Sequence, residues 1–549
     1  MSRRGLVAGL TVAALGVVGA VGWGFWHERE SSSSATRAAT GVTLSATGVE
    51  RAPRPEVATL AWGPSVIDYA RAVAAARELP LEVAAGHVIV AAVSSPDPAQ
   101  AATLVRDEYL AGVILMGGSI VDADQVRKLA AAVQSAAAED GRTWPAIVST
   151  DQEGGPVARL GGIVPELPAF MAAGSVADKD EVTATYRAAA QSMRALGITV
   201  DWAPDADVTV GVADPVIRVR SAGEDPARVA DTVVAATHGF VDGGVVPALK
   251  HFPGHGSVTT DSHEALPVQS ATVAQLENAD LVPFADAIDA GAPAVMMGHI
   301  AVAEWGGGPS TLNPKAYEYL RGALGFTGVA VTDALNMRAV TDRYPAGEAG
   351  VVALAAGADL LLLPRDPAGA RDAIVAAVDS GALSRDRLDE AVARVSLMME
   401  WQEEMATAAD TAPSDPSIGE GYARAFAASA ATVSAPTCGG PYVGSTVTIS
   451  GGWPVERQAL ADALAGYDIS TGGGTTILLL GTATSSGDAD VVVAMDGPWG
   501  LVDSRASVYV GLYGRSAESL AGLADVLAGA VAPTGQWAIP GMPEACGAS

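Results

Sequence analysis

The stretch Val246-Pro247-Ala248-Leu249-Lys250-His251-Phe252-Pro253-Gly254-His255-Gly256 joins a short apolar run to a cation and two imidazoles, and a third imidazole follows in Asp261-Ser262-His263. His251 and His255 have the i, i+4 spacing of a helical zinc pair, but Pro253 and Gly254 between them break a helix. The run therefore reads as a buried strand that ends in a loop and delivers polar side chains there. Three of the chain's seven histidines fall in this stretch, a clustering that separates them from isolated surface or core histidines. No metal and no other cofactor is expected.

The same pattern recurs along the chain. Apolar, β-branched runs fall near Val88–Val93, Gly112–Met116, Ala146–Ser149, Ile198–Trp202, Val246–Leu249, Ala294–Met297, Gly328–Val331 and Asp359–Leu363, with Ala-rich amphipathic stretches between them. Runs that are apolar throughout belong to strands covered on both faces, as in parallel sheets with crossover helices. Eight such units predict an α/β fold built as a (β/α)8 barrel; a doubly wound open sheet is the competing arrangement. Nearly every run ends in polar residues: Thr150-Asp151-Gln152-Glu153 after the third, Asp201, Asp205 and Asp207 after the fourth, Lys250-His251 after the fifth, Gly298-His299 after the sixth and Thr332-Asp333 after the seventh. Barrel strands all point the same way, so these groups converge on one cleft.

Lys250 to Gly256, Asp261-Ser262-His263 and Pro267 together resemble the signature of the family 3 glycoside hydrolases, in the β-N-acetylhexosaminidase branch typified by peptidoglycan-recycling β-N-acetylglucosaminidases. The resemblance runs from about Leu79 to about Met405 and more weakly over the C-terminal region. It implies Asp333 as nucleophile of a retaining reaction, within Val331-Thr332-Asp333-Ala334-Leu335-Asn336-Met337, where many relatives carry Ser and a second acid in place of Thr332 and Ala334. A helix N-cap is the structural alternative for Asp333. The resemblance also implies His263 as acid/base on a mobile loop. Asp261, two residues away, can accept one imidazole N–H, fix the tautomer and raise the basicity of the other nitrogen. Other branches use a glutamate here, so Asp261-Ser262-His263 selects the N-acetylhexosaminidase branch. Substrate contacts carry over to Asp151, Arg159, Arg220, Lys250 and His251. Arg220 lies in Ile217-Arg218-Val219-Arg220-Ser221-Ala222-Gly223, where relatives usually have Gly for Arg218 and Phe for Ala222. His299 reads as structural support.

Ahead of the barrel, Arg3 and Arg4 precede an uncharged run from Gly5 to Trp26, and at about 1.5 Å per residue such a run spans roughly 33 Å, enough to cross a membrane once. Basic residues on its N-terminal side predict an exported body, with residues 1–30 as anchor or, in the rival reading, a cleaved signal. Residues 31–55, rich in Ser, Ala, Thr and Gly, read as a flexible stalk. The barrel is expected over 56–405, a proline-bearing linker over 406–421, and a smaller α/β sandwich domain over 422–549. Two cysteines exclude a dense disulfide scaffold, and a net charge of −29 argues against nucleic acid as a partner. Cys438 and Cys546 flank the C-terminal domain in a chain whose inferred address is oxidising, so they are expected to pair.

The expected protein is a membrane-tethered enzyme of the cell envelope that removes terminal GlcNAc from peptidoglycan-derived fragments, with a GlcNAc-containing glycan or muropeptide as its substrate partner. A GlcNAc phosphorylase or a β-glucosidase on the same scaffold, and a non-catalytic glycan-binding barrel, are the competing readings.

Overall fold

Alternate side chains of eight parallel strands separate into two apolar sets, and that separation builds the barrel. The computed structural model describes residues 58–345, 347–409 and 420–548. The expected anchor and stalk, residues 1–30 and 31–55, lie outside them, as do residues 410–419 of the expected linker. Among the described residues no helix is long and apolar enough to cross a membrane.

The strands are β1 (Ile89–Val93), β2 (Gly112–Leu115), β3 (Ile147–Thr150), β4 (Val200–Asp201), β5 (Val246–Phe252), β6 (Ala294–Met297), β7 (Val329–Thr332) and β8 (Leu361–Leu362). Each pairs in parallel with its sequence neighbour, and β8 pairs with β1. A bridge between Val331 and Leu360 joins β7 to β8, and the Thr332 N–H donates to the Leu360 carbonyl at 2.9 Å. The sheet thus comes nearly full circle, which an open doubly wound sheet does not. Val90, Ile114, Val200, Val246, Met296 and Val331 pack in one cluster, whereas Ile89, Val113, Val148, Leu249, Val295 and Ala330 pack in another with the surrounding helices. Successive residues of a strand point to opposite faces, and here both faces are buried, which explains the uninterrupted apolar runs.

The acidic composition has a local use at the helix starts. Asp97, Asp122, Asp178, Asp225 and Asp366 each accept a hydrogen bond from a first-turn backbone N–H, meeting an otherwise unpaired donor and the positive end of the helix dipole. The helix Val66–Arg77 opens with a reciprocal Ser65–Asp68 capping box, and Trp62 just ahead of it meets Trp401 edge to face. Trp401 lies in the helix Arg385–Ala408, so the expected linker, placed from Ala406, begins inside the last turn of that helix.

The C-terminal region forms a six-stranded sheet from β9 (Thr432–Ser434), β10 (Thr446–Gly451), β11 (Ser470–Thr471), β12 (Thr475–Leu480), β13 (Val491–Ala494) and β14 (Val508–Gly511), in the order β9-β14-β13-β12-β10-β11, with only β9 antiparallel. Leu460 and Leu464 of the helix Pro454–Ala465 and Leu520 and Leu523 of Ala517–Leu527 share one cluster with Ile477, Val491 and Val510. The sheet is not separate from the barrel: Ala169 N–H donates to the Tyr513 carbonyl at 2.8 Å, Gln536 N–H to Ser175 at 2.8 Å, and Ser175 Oγ to Ala430 at 2.7 Å.

Cys438 and Cys546 are bonded to each other, 108 residues apart, with Cα atoms 5.4 Å apart. Closing a loop of that length removes up to about 4 to 5 kcal/mol of chain entropy from the unfolded state. Thiol titration of the denatured, unreduced protein is expected to find no free thiol, and two after reduction. The double variant Cys438→Ser, Cys546→Ser is expected to unfold at lower denaturant concentration.

Candidate active site

Since the barrel strands are parallel, the residues after β3 to β7 all lie at one end. The local structure of β5 determines which of its side chains reach the site. Its pairing with β6 shifts register between Leu249 and Phe252, and such an irregularity re-aims side chains that strict alternation would send to opposite faces. Lys250 and His251 accordingly both join the polar cluster.

Glu153 is the centre of that cluster. It lies in a short hairpin after β3 (Gln152–Gly154 with Val157–Ala158), with its side chain 2% exposed. Arg220 grips it through two parallel bonds of 2.8 Å, Nε to Oε2 and Nη2 to Oε1, and Lys250 Nζ donates to Oε1 at 2.5 Å. Lys250 also reaches Asp151 at 3.2 Å, and Arg220 Nη2 stands 3.4 Å from Asp205 Oδ2. Burial opposes the charge on Glu153, but Arg220 and Lys250 outweigh it and draw the carboxyl down to about 2. Burial likewise opposes the charge on Lys250 and Arg220, and Glu153 holds both above their ordinary values.

Asp207 forms a second centre. The His251 Nδ1–H donates to its Oδ2 at 2.7 Å, and the backbone N–H groups of His251 and His255 donate to Oδ1 at 3.2 and 2.6 Å. Burial disfavours its charge, yet His251 and these bonds hold it far below the usual carboxylate range. Its neighbour Asp205 goes the other way: burial and the proximity of Asp207 push it well up. Asp201, also fully enclosed, is pushed up to about 8 by burial. Ligand atoms of Asp205, Asp207 and His251 lie within 4.8 Å of one another, near enough to surround a cation. Arg220 beside Asp205 and three N–H donors on Asp207 already supply the positive partners there, so the donor set fits a metal poorly.

On the opposite strands, Asp333 follows β7 and is 8% exposed. Its N–H donates to the Met297 carbonyl at 3.0 Å, and Ala334 N–H donates to its Oδ1 at 2.7 Å. Burial tends to raise its pKa, but His299, then His251, the Ala334 N–H and His263 together bring it below the ordinary value. His299 is fully buried: its Nε2–H donates to the Ala334 carbonyl at 2.9 Å, and Nδ1 lies 2.9 Å from Thr311 Oγ1. It therefore braces the peptide that carries Asp333.

Asp261 and His263 sit above β5 on a loop. The His263 Nδ1–H donates to Asp261 Oδ1 at 2.8 Å, and the same oxygen accepts the His263 backbone N–H at 2.8 Å. A carboxylate can only accept, so Nδ1 carries a proton and Nε2 is the ring nitrogen left to face a substrate. Burial raises and these two bonds lower the Asp261 pKa, with a net lowering. The His263 side chain is 64% exposed.

Of the five side chains expected to contact substrate, Lys250, Arg220 and Asp151 meet through the Glu153 network, His251 is fixed by Asp207, and Arg159 stands exposed at the end of the hairpin. The Arg220 turn is supported by Asp214, which accepts three backbone N–H bonds of 2.9 Å from Val216, Ile217 and Arg218. Arg218 has φ +45°, in the left-handed region that favours glycine, at the position where this sequence departs from the family's Gly. Its Nε donates to the Asp214 carbonyl at 2.8 Å, which offsets part of the strain. Sequence reasoning noted Glu153, Asp205 and Asp207 as polar strand-end residues but gave them no partners.

Comparison with known proteins agrees with this geometry. A family model described as the glycosyl hydrolase family 3 N-terminal domain matches residues 83–398. Beta-hexosaminidase LpqI of Mycobacterium tuberculosis is 35% identical over 312 residues, covering 55% of this chain and 79% of that protein. Beta-hexosaminidase A of Pseudoalteromonas piscicida is 32% identical over 326 residues, and the chain spans about half the length of that relative, 54% of each being covered. The structure of a glycoside hydrolase family 3 beta-N-acetylglucosaminidase from Paenibacillus superposes with a TM-score of 0.73 at 27% identity, covering 84% of this chain and 99% of that one.

The charge on Glu153 ties stability to acid. Its folded pKa of about 2 lies below the ordinary 4.5, so its contribution is complete above 4.5 and is lost as pH falls toward 2. Chemical denaturation across that window is expected to show a steep loss of stability. Glu153→Gln is expected to flatten that part of the profile and to cost about 3 to 5 kcal/mol near neutrality, because Arg220 and Lys250 lose their shared anion.

Proposed function

The chain belongs to glycosyl hydrolase family 3 and is a glycoside hydrolase, and on that premise we propose that it is a retaining exo-acting β-N-acetylglucosaminidase that releases terminal GlcNAc from peptidoglycan-derived fragments. The observation that carries the reading is the Asp261–His263 pair, 2.8 Å apart, at the same barrel end as a buried Asp333 whose carboxyl is held ionised.

In this reading the Asp333 carboxylate attacks the anomeric carbon and forms a glycosyl ester. A proton on His263 Nε2 passes to the departing glycosidic oxygen. The neutral Nε2 then takes a proton from water, which attacks the anomeric carbon and frees Asp333. Asp261 keeps the Nδ1–H in place and stabilises the imidazolium. Lys250, Arg220, Asp151, Arg159 and His251 would grip the sugar, and the shared Glu153 supports this by holding Lys250 and Arg220 in fixed positions. The apolar run Gly5–Trp26 supports a position outside the cytoplasmic membrane, where such fragments arise. Cell fractionation with N-terminal mass determination tests this: the full chain is expected in the membrane, and a soluble form beginning after residue 26 would replace the anchor with a cleaved signal.

Chromogenic GlcNAc glycosides are expected to be cleaved and glucose glycosides not; the reverse would make the protein a β-glucosidase, and cleavage of neither a binding protein. Asp333→Asn is expected to abolish turnover. His263→Ala is expected to slow natural substrates by about 10²- to 10⁴-fold while sparing part of the first step on acidic phenol leaving groups. A slow fluorosugar should leave its adduct on Asp333. Because deprotonated His263 carries no negative charge, phosphate is a feasible acceptor. Free GlcNAc is the expected product in phosphate buffer, and GlcNAc 1-phosphate would make the enzyme a phosphorylase.

A further inference from the structure

We propose that Ser257, Gln269 and Asp280 form a clamp that closes the base of the loop carrying Asp261 and His263, and so act as positioning residues for proton transfer by His263. The inference rests on His263 being the acid/base of the reaction proposed above.

Ser257 precedes the loop and Gln269 follows it. Gln269 Nε2 donates to Ser257 Oγ at 2.6 Å, and the Ser257 hydroxyl donates to Asp280 Oδ1. Amide to hydroxyl to carboxylate is a consistent donor-to-acceptor chain in which each bond polarises the next. Gln269 and Asp280 are 3% and 5% exposed, so the chain is shielded from competing water. Asp280 stands just ahead of the helix Val282–Asp289, and Gln269 is paired with Val302 in a two-residue parallel ladder, so both anchor points belong to the barrel frame. Asp280 also packs against the turn that opens the loop: Gly254 has φ +122°, and a Cβ there would lie 2.6 Å from the Asp280 Cβ. The carboxylate thus touches the loop's approach while binding its first residue.

Between Ser257 and Gln269, Thr259, His263, Glu264, Ala265 and Val268 are exposed, and among the described residues the His263 side chain hydrogen-bonds to Asp261 on the same loop. Val258, Ser262 and Pro267 are buried inside the loop, and Ser262, between Asp261 and His263, has its Oγ 2.9 Å from His255 Nε2. Among the described residues the dyad has no direct side-chain bond to the barrel, so its position follows from where the loop is held at its base and at its buried points. Fixing the ends of a short loop removes most of its freedom, and misplacing a proton donor by about 1 Å can reduce a rate about 10²-fold. None of the three clamp residues hydrogen-bonds to Asp261, His263 or Asp333, which separates them from the chemistry.

The test is a series of aryl β-GlcNAc glycosides of graded leaving-group acidity, run on the full chain and on Ser257→Ala, Gln269→Ala, Asp280→Ala and Asp280→Asn, with His263→Ala as reference and thermal melting as the folding control. The Ser257, Gln269 and Asp280→Ala variants are expected to lose about tenfold or more in kcat/KM on phenyl glycosides and about threefold or less on dinitrophenyl glycosides, a muted copy of the acid/base defect. Asp280→Asn keeps an acceptor for Ser257 and is expected to recover most of the loss, which covers the case of Asp280→Ala misfolding. A uniform loss across the series, or wild-type behaviour in Gln269→Ala and Ser257→Ala while His263→Ala shows the leaving-group dependence, would overturn the clamp. A His263→Ala enzyme without that dependence would instead overturn the acid/base assignment.

Discussion

The buried anion of Glu153 is the constraint on which the active end depends. A carboxylate enclosed in protein is stable only when its charge is matched, and Glu153 is matched by a bidentate arginine and a lysine that reach it from two other parts of the barrel. Arg220 comes from the long connection after β4 and Lys250 from β5, so the ion cluster binds three consecutive strand ends together. Remove the anion and two cations lose the partner they share, keeping only Asp151 at 3.2 Å from Lys250 and Asp205 at 3.4 Å from Arg220. The cluster also determines what is left over for a substrate: Asp151, its side chain 21% exposed, is the outermost member of the same network.

The barrel was legible because parallel strands with both faces buried need long apolar runs, and Val88–Val93, Ala294–Met297 and Gly328–Val331 meet that need plainly. Ladders differ from runs where the backbone is interrupted. β4 stops at Asp201 although the apolar run continues to Trp202, because Ala203-Pro204 follows and proline has no N–H for a ladder. β5 runs on through Lys250, His251 and Phe252, three residues that the apolar pattern had left to the loop, because Phe252 pairs again with Met297 after the register shift. In the C-terminal domain the apolar runs Thr476–Leu480, Val491–Met495 and Val508–Leu512 mark β12, β13 and β14 in the sequence, whereas β9, β10 and β11 carry no such run. β10 is largely exposed and β11 is an exposed edge of two residues, so Thr, Ser and Gly fill them where a buried strand would carry Val or Ile.

Motif residues such as Asp261, His263 and Asp333 were legible because their neighbours in sequence are fixed by type. The supporting contacts were not, since they join residues far apart: Glu153 to Arg220 across 67 positions, Asp207 to His251 across 44. No local periodicity encodes such a pair. Asp207 showed only as one acid among several after the fourth run, and its significance comes from two backbone N–H groups that the turn after β5 turns toward it.

The bond between Cys438 and Cys546 makes the C-terminal domain a covalent ring. All five strands from β10 to β14 lie between the two sulfurs, together with the segment near Gln536 that docks on the barrel. A protease that cuts any exposed turn of this ring opens it without releasing a piece, and the nicked chain remains one molecule whose halves stay at high local concentration. Damage to the C-terminal domain would then be survivable damage, with the barrel still covered.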